Sequence, residues 1–164
     1  MAETIRHIVV GYDGSESSRI ALRRACELAQ PDGAVSVVHV YDVPWQAEIY
    51  PWLEEFKGIC KEVAEEVLKS ARGICDQYLV KSNFKTAVGK PANVLAELAE
   101  SESADFIVVG TRGPGPVRAA LGSVTYRLLH RTHRPVLVVP DPIPLDKELG
   151  ALDGANTEPQ LLRS

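Results

Sequence analysis

Hydrophobic periodicity switches back and forth along this chain, and that alternation limits its possible folds more than any single motif. Ile5 to Val10 reads as a buried strand, and Ser15 to Gln30 then places Ala21, Ala25 and Leu28 at helical spacing. Pro31-Asp32-Gly33 signals a turn, and Val35 to Val40 is rich in β-branched residues again. Phe56, Ile59, Val63, Val67, Ala71, Ile74 and Tyr78 follow at intervals of three and four, which predicts a long helix. Phe84 to Val88 is a short strand ended by Gly89-Lys90-Pro91, and Pro91 suits the first turn of a helix carrying Val94, Leu95 and Leu98. Phe106 to Val109 predicts a strand, Val117 to Arg131 a helix, and Val136 to Val139 a last strand between Pro135 and Pro140.

The order is β-α-β-α-β-α-β-α-β. Val and Ile runs without polar alternation belong to strands covered on both faces, as in parallel sheets. Right-handed crossovers then give an α/β, Rossmann-like fold: a doubly wound five-stranded parallel sheet with helices on both faces. Ligands on such sheets sit outside the carboxyl ends of the strands, where the strand order reverses. At 164 residues the chain suits one domain, over 1–140. From Asp141 to Ser164 it is rich in Pro, Gly and acids and reads as a flexible tail.

An apolar share of 45% with 24% charged residues excludes wholesale disorder and collagen-like repeats. The aliphatic runs fall far short of the ~20 residues of a membrane helix. Met1 to His7 lacks the apolar stretch of a signal peptide, and three cysteines without metal-like clustering suit a reducing compartment, so the expected location is cytoplasmic. Cys60 and Cys75 share one helix about 22 Å apart, too far to bridge. A net charge of −4 argues against coating nucleic acid. Yet Gly110 to Arg134 holds Arg112, Arg118, Arg127, Arg131 and Arg134 and no acid, which suits a small anion. The competing reading is that Arg127, Arg131 and Arg134 complement a helix C-terminus.

The richest segment is Val109-Gly110-Thr111-Arg112-Gly113-Pro114-Gly115-Pro116, followed by Leu121-Gly122-Ser123-Val124. A strand enters a Gly-rich turn and then a helix, so backbone N–H groups there can approach a phosphate. A plain βα connection that needs turn glycines is the alternative. The segment resembles the signature of the universal stress protein family, Gly-x-x-Gly, nine residues, then Gly-Ser or Gly-Thr. Ile8-Val9-Val10-Gly11-Tyr12-Asp13-Gly14-Ser15 is similar to the family's first strand and turn, Val37-Val38-His39-Val40-Tyr41 to its second strand, and Gly89-Lys90-Pro91 to the turn before its third helix. These stretches span Ile5 to Pro140. Between Gly113 and Gly122, however, lie eight residues rather than the nine of ATP-binding members, and Pro114 and Pro116 remove two N–H donors.

The resemblance implies a small ATP-binding regulatory protein of the stress response, with at most slow hydrolysis and no dedicated catalytic activity. On it, Asp13 would bond the ribose or help hold magnesium, and Val40 would meet adenine through its backbone. Gly110, Gly113, Gly122 and Ser123, with Val124 beside them, would surround the triphosphate. Arg112 and Arg118 join this set on charge and position. Asp13 has a second reading as the cap of the following helix. A nucleotide-independent interaction module of the same fold is the other function class. The resemblance further implies a homodimer formed through the last strand, Val136 to Val139, whose open apolar edge invites pairing.

Other constellations fail. There is no Gly-x-x-x-x-Gly-Lys-Ser/Thr, and Gly11 to Ser15 is not Gly-x-Gly-x-x-Gly. The third strand ends in Ala87-Val88-Gly89, without a phospho-acceptor Asp. His130 and His133 lack a third ligand nearby and read as surface or capping residues, while His39 reads as core. Trp45, Tyr50 and Trp52 mark a loop that is either a partner surface or an ordinary connection.

Overall fold

A computed structural model describes residues 5–29, 31–43, 54–111 and 121–141. The strands are β1 (His7–Gly11), β2 (Ala34–Tyr41), β3 (Lys81–Val88), β4 (Phe106–Gly110) and β5 (Val136–Val139). The helices between them are α1 (Glu16–Ala29), α2 (Glu54–Cys75), α3 (Pro91–Ser101) and α4 (Ser123–Leu129). All pairings are parallel, in the order β3-β2-β1-β4-β5. The chain winds outward from β1 to β3 and then crosses to the other side, so the order reverses between β1 and β4. That is the crevice in which such sheets take ligands.

β1, with its aliphatic run Ile8-Val9-Val10, is central because it is covered twice. Ile8 and Val10 join α1 and α2 in one core, Val9 joins α3 and α4 in the other, and all three are 0% exposed. Alternation along a strand delivers successive side chains to opposite faces, so a continuous aliphatic run fills both cores.

Two element starts differ most from expectation. The periodicity predicts the fourth helix from Val117, but α4 begins at Ser123, and Leu121 and Gly122 are not helical. The cause is local: the Gly122 N–H donates to the Thr111 carbonyl at 2.7 Å, and its ψ of 147° is extended. Residues 112–120 lie outside the described residues, as do the Trp45–Trp52 loop and the tail beyond Asp141. At the other edge, β3 starts at Lys81 instead of Phe84, because β2 pairs Ala34 with Lys81 and draws polar Lys81, Ser82 and Asn83 into the ladder.

The amino ends of the strands are fastened by polar groups. The Asp105 carboxylate accepts from the N–H groups of Arg6 and His7 at 2.6 and 2.8 Å, tying the entry of β4 to that of β1. Glu102 accepts from the Ser36 hydroxyl at 2.8 Å and from Lys85, and His7 bonds Ser36 at 2.9 Å. Burial pushes the Glu102 carboxyl up, but the hydrogen bonds from Lys85 and Ser36 and the Lys85 charge prevail and hold it below its usual range. No described helix is long and apolar enough to cross a membrane.

Candidate functional site

The loop leaving β1 is built around Asp13. The Tyr12 N–H reaches the Val38 carbonyl at 2.9 Å and carries the β1–β2 pairing one residue further. Buried Tyr12 anchors the loop below through Ser70, its hydroxyl 2.7 Å from that side chain. Gly14 then takes φ +80°, a left-handed conformation that favours glycine. Within this turn Asp13 Oδ1 accepts the Ser15 N–H at 2.9 Å. The cap of α1 is Ser15: its Oγ accepts from the Ser18 N–H at 3.2 Å, the usual capping geometry. Asp13 therefore shapes the turn before the cap and is not itself the cap. Among the described residues, its Oδ2 carries no hydrogen bond.

Across the crevice, the end of β4 is clamped on both sides. The Gly110 carbonyl accepts from the buried Thr125 hydroxyl at 3.0 Å, and Thr111 donates to the Val139 carbonyl at 3.1 Å. The Gly122–Thr111 hydrogen bond closes the base of the connection to α4. Gly110, Gly122 and Ser123 thus stand together, with Val124 half-buried just inside α4. The glycine at position 110 has a packing cause: a Cβ there would lie 2.8 Å from the Ser17 carbonyl carbon and oxygen. That close approach lets the first turn of α1 press against β4.

Val40 completes the set from β2. That strand outruns β1, whose ladder stops at Gly11 opposite Val38. Alternation points the Val40 N–H and C=O to the same side as those of Val38, into the notch left where β1 turns away. His39, expected in the core, is only partly buried, because at this height β2 has no β1 residue beside it. Its Nδ1 donates to the Tyr12 carbonyl at 2.8 Å and steadies the Asp13 loop.

The structure therefore gathers Asp13, Val40, Gly110, Gly122, Ser123 and Val124 at the carboxyl end of the sheet, while Arg112, Gly113 and Arg118 lie outside the described residues. The other arginines stand elsewhere. Arg127 is in the last turn of α4, and Arg134 pairs with Glu100 at 3.0 Å and donates to the Ala104 carbonyl at 3.0 Å, near the amino ends of the strands. A helix-end place accounts for Arg127 and an ion pair for Arg134. His130 is the C-cap of α4 and packs edge-on to Tyr126, 4.8 Å between ring centres. A groove of about 530 Å³ runs between α3 and the turn after α4, with Glu97 and Glu100 on one side and Arg131 and His133 on the other, near the amino ends of the strands and away from the Asp13 loop.

The supporting roles of Ser15, Ser18, Arg19 and Thr125 escape a reading by motif. Arg19 is half-buried and donates through Nε to the Gly14 carbonyl at 3.2 Å, which sets a cation beside the loop. The run Ser15-Glu16-Ser17-Ser18 after Asp13-Gly14 was the available signal, since Ser just before a helical run marks a cap.

Comparison with known proteins places this chain among relatives. Residues 4–140 match the model of the universal stress protein family. The universal stress protein MJ0531 of Methanocaldococcus jannaschii is 36% identical over 145 residues, covering 84% of this chain and 83% of that protein. Among solved structures, the hypothetical protein MJ0577 superposes with a TM-score of 0.77 at 25% identity, covering 87% of this chain and 100% of its own. A universal stress protein in complex with cAMP superposes at 0.55 with 31% identity, covering 84% and 98%.

Proposed function

The chain belongs to the universal stress protein family, and from that membership we propose that it is a cytoplasmic, ATP-binding regulatory protein of the stress response. The observation that carries the reading is the convergence of the Asp13 loop, the Val40 backbone and the Gly110–Gly122 closure on the crevice where strand order reverses. The cAMP complex of a relative at 31% identity supports an adenine nucleotide as the ligand class.

In this proposal the Val40 N–H and C=O meet the adenine edge, and Asp13 bonds the ribose or holds magnesium through the oxygen that Ser15 leaves over. Arg112, Gly113 and Arg118, between the clamped ends at Thr111 and Gly122, join Ser123 and Val124 around the phosphates. The donor set fits such a ligand: a carboxylate, backbone amides and glycines close to cations. Magnesium would screen phosphate charge. No residue of the set is assigned as a general base, so hydrolysis would be slow at most.

A second reading is favoured by one feature, the eight-residue spacer with Pro114 and Pro116, which has fewer N–H groups for a triphosphate. On that reading the same fold is a nucleotide-independent interaction module. Thermal unfolding with and without Mg-ATP, and with cAMP, separates the two. A ligand at a hundred times its Kd adds about 2.7 kcal/mol of stability, which raises the melting temperature visibly. An unchanged melting temperature with every adenine nucleotide at millimolar concentration would reject nucleotide binding and leave the interaction module.

A further inference from the structure

Two thiols meet where α1 and α2 come to their ends. Cys26 lies in the last turn of α1 and Cys75 is the final residue of α2, with their Sγ atoms 3.8 Å apart. Both belong to one core cluster and are 0% and 2% exposed. Cys60 is half-buried further up α2, and all three cysteines are free thiols. The spacing within one helix excludes a Cys60–Cys75 bridge, whereas packing of two helices has brought Cys26 and Cys75 into sulfur contact.

We propose that Cys26 and Cys75 are a dithiol modification site that closes to a disulfide when the protein meets a hydroperoxide. Contact is already made, so closure to an S–S bond of ~2.05 Å needs a change of χ1 at one or both residues and no rearrangement of the sheet. Access comes from the end of α2. Beyond Cys75 the chain leaves the helix through Asp76, Gln77 and Tyr78, whose N–H groups bond the carbonyls of Arg72, Ile74 and Cys75. A terminal helical turn opens locally at far less cost than the whole domain, and it carries Cys75 with it.

The place of Cys75 on the helix end that opens assigns the order of events. The Cys26 S–H donates to Cys75, and that hydrogen bond, with one from Ser82, lowers the Cys75 thiol against the burial that raises it. The same hydrogen bond, together with burial, pushes the Cys26 thiol up. Cys75, carried outward by the opening turn, attacks as thiolate at the peroxide oxygen and breaks the O–O bond. The departing oxygen takes a proton and leaves as water or an alcohol, and Cys75 becomes a sulfenic acid. The Cys26 sulfur then attacks the Cys75 sulfur and displaces the hydroxyl, which leaves as water with the Cys26 proton. Two thiols lose two electrons and two hydrogens, and the peroxide is reduced. The bridge joins residues 49 apart in sequence. It pins α1 to α2 at the amino end of the strands, far from the Asp13 loop.

The test uses the full chain with Cys60→Ser, which leaves the core pair untouched, beside the native sequence. Each is treated with hydrogen peroxide while folded, blocked with an alkylating agent after unfolding, and mapped by peptide mass. The expected result in both chains is a linked Cys26–Cys75 peptide pair lighter by two hydrogens and restored by dithiothreitol. Cys26 and Cys75 recovered fully alkylated, while Cys60 of the native chain is oxidised, would overturn the proposal. So would a native chain in which bridges to Cys60 outnumber the Cys26–Cys75 bridge, as a chain that oxidises only after unfolding would show.

Discussion

Four positions test the proposed binding apart from folding. Asp13 bonds Ser15 within its turn, while Ser15 caps α1. Asp13→Ala should therefore weaken ATP binding at least tenfold with little change in melting temperature. Ser15→Ala should lose about 1 kcal/mol of stability and leave affinity almost intact. Titration calorimetry and denaturant unfolding on the two variants check this, and the reverse pattern would make Asp13 a purely structural residue. Gly110 and Gly113 should separate in the same way. A side chain at 110 meets the Ser17 backbone at 2.8 Å, so Gly110→Ala overpacks the α1–β4 contact at a cost of about 1–3 kcal/mol. Gly113→Val should retain the fold and lose the nucleotide, and unchanged ATP affinity in that folded variant would remove the cradle from the proposal. Asp13 was legible as a site candidate because an acid after a buried strand stands at a known ligand position. Its division of labour with Ser15 was not, since that depends on the left-handed turn at Gly14. Nor was His39, whose place is set by β2 running past the end of β1.

Elements were legible wherever one pattern held over a whole segment: an unbroken aliphatic run in β1 and β5, and helical spacing in α1. They failed where a tertiary hydrogen bond outranked periodicity. The Thr111 carbonyl takes the N–H of Gly122 and so delays α4 to Ser123, and the ladder from β2 draws polar Lys81 to Asn83 into β3. The fastening at the amino ends of the strands was invisible for the same reason: Ser36, Lys85 and the Glu102–Asp105 turn come from three separate parts of the chain. It carries a pH dependence. The His7 N–H, with that of Arg6, holds the Asp105 carboxyl below its ordinary range, and Lys85 and Ser36 outweigh burial at Glu102 to the same effect. Both groups bind protons more weakly in the folded chain than in the unfolded one. Their stabilisation is complete above the ordinary carboxylate range, about pH 4, and is lost as pH falls through the depressed folded values. Asp105→Asn and Glu102→Gln should therefore lower the melting temperature at neutral pH and flatten its decline in acid. Acid unfolding curves identical to the native chain's would show that neither carboxylate contributes.

At the scale of the whole molecule, an apolar surface stands at one end of the sheet. Among the described residues β5 pairs only with β4, and its Val136, Leu137 and Val138 are partly exposed. On α4, which covers the neighbouring face, Tyr126 and Leu129 are 58% and 47% exposed. An apolar edge strand beside exposed aromatic and aliphatic side chains is costly to leave in water and invites another chain. A second copy is the simplest partner, since a twofold contact lets the same edge serve both sides. The alternative cover is the tail after Asp141, whose Pro142 and Pro144 lack N–H groups for a ladder. Four residues of β5 alone are too small a contact, so helix side chains must contribute for the interface to exceed roughly 1,000 Å². The expected outcome is a sedimentation mass near twice 17.9 kDa at micromolar concentration. Val138→Lys should convert it to monomer, because a charge at this edge disfavours pairing by cost of desolvation and by repulsion across the twofold axis. Removal of residues 142–164 discriminates the two covers. A dimer that survives the truncation keeps the edge-to-edge contact, whereas a chain monomeric with its tail and dimeric without it would make the tail the native cover of β5.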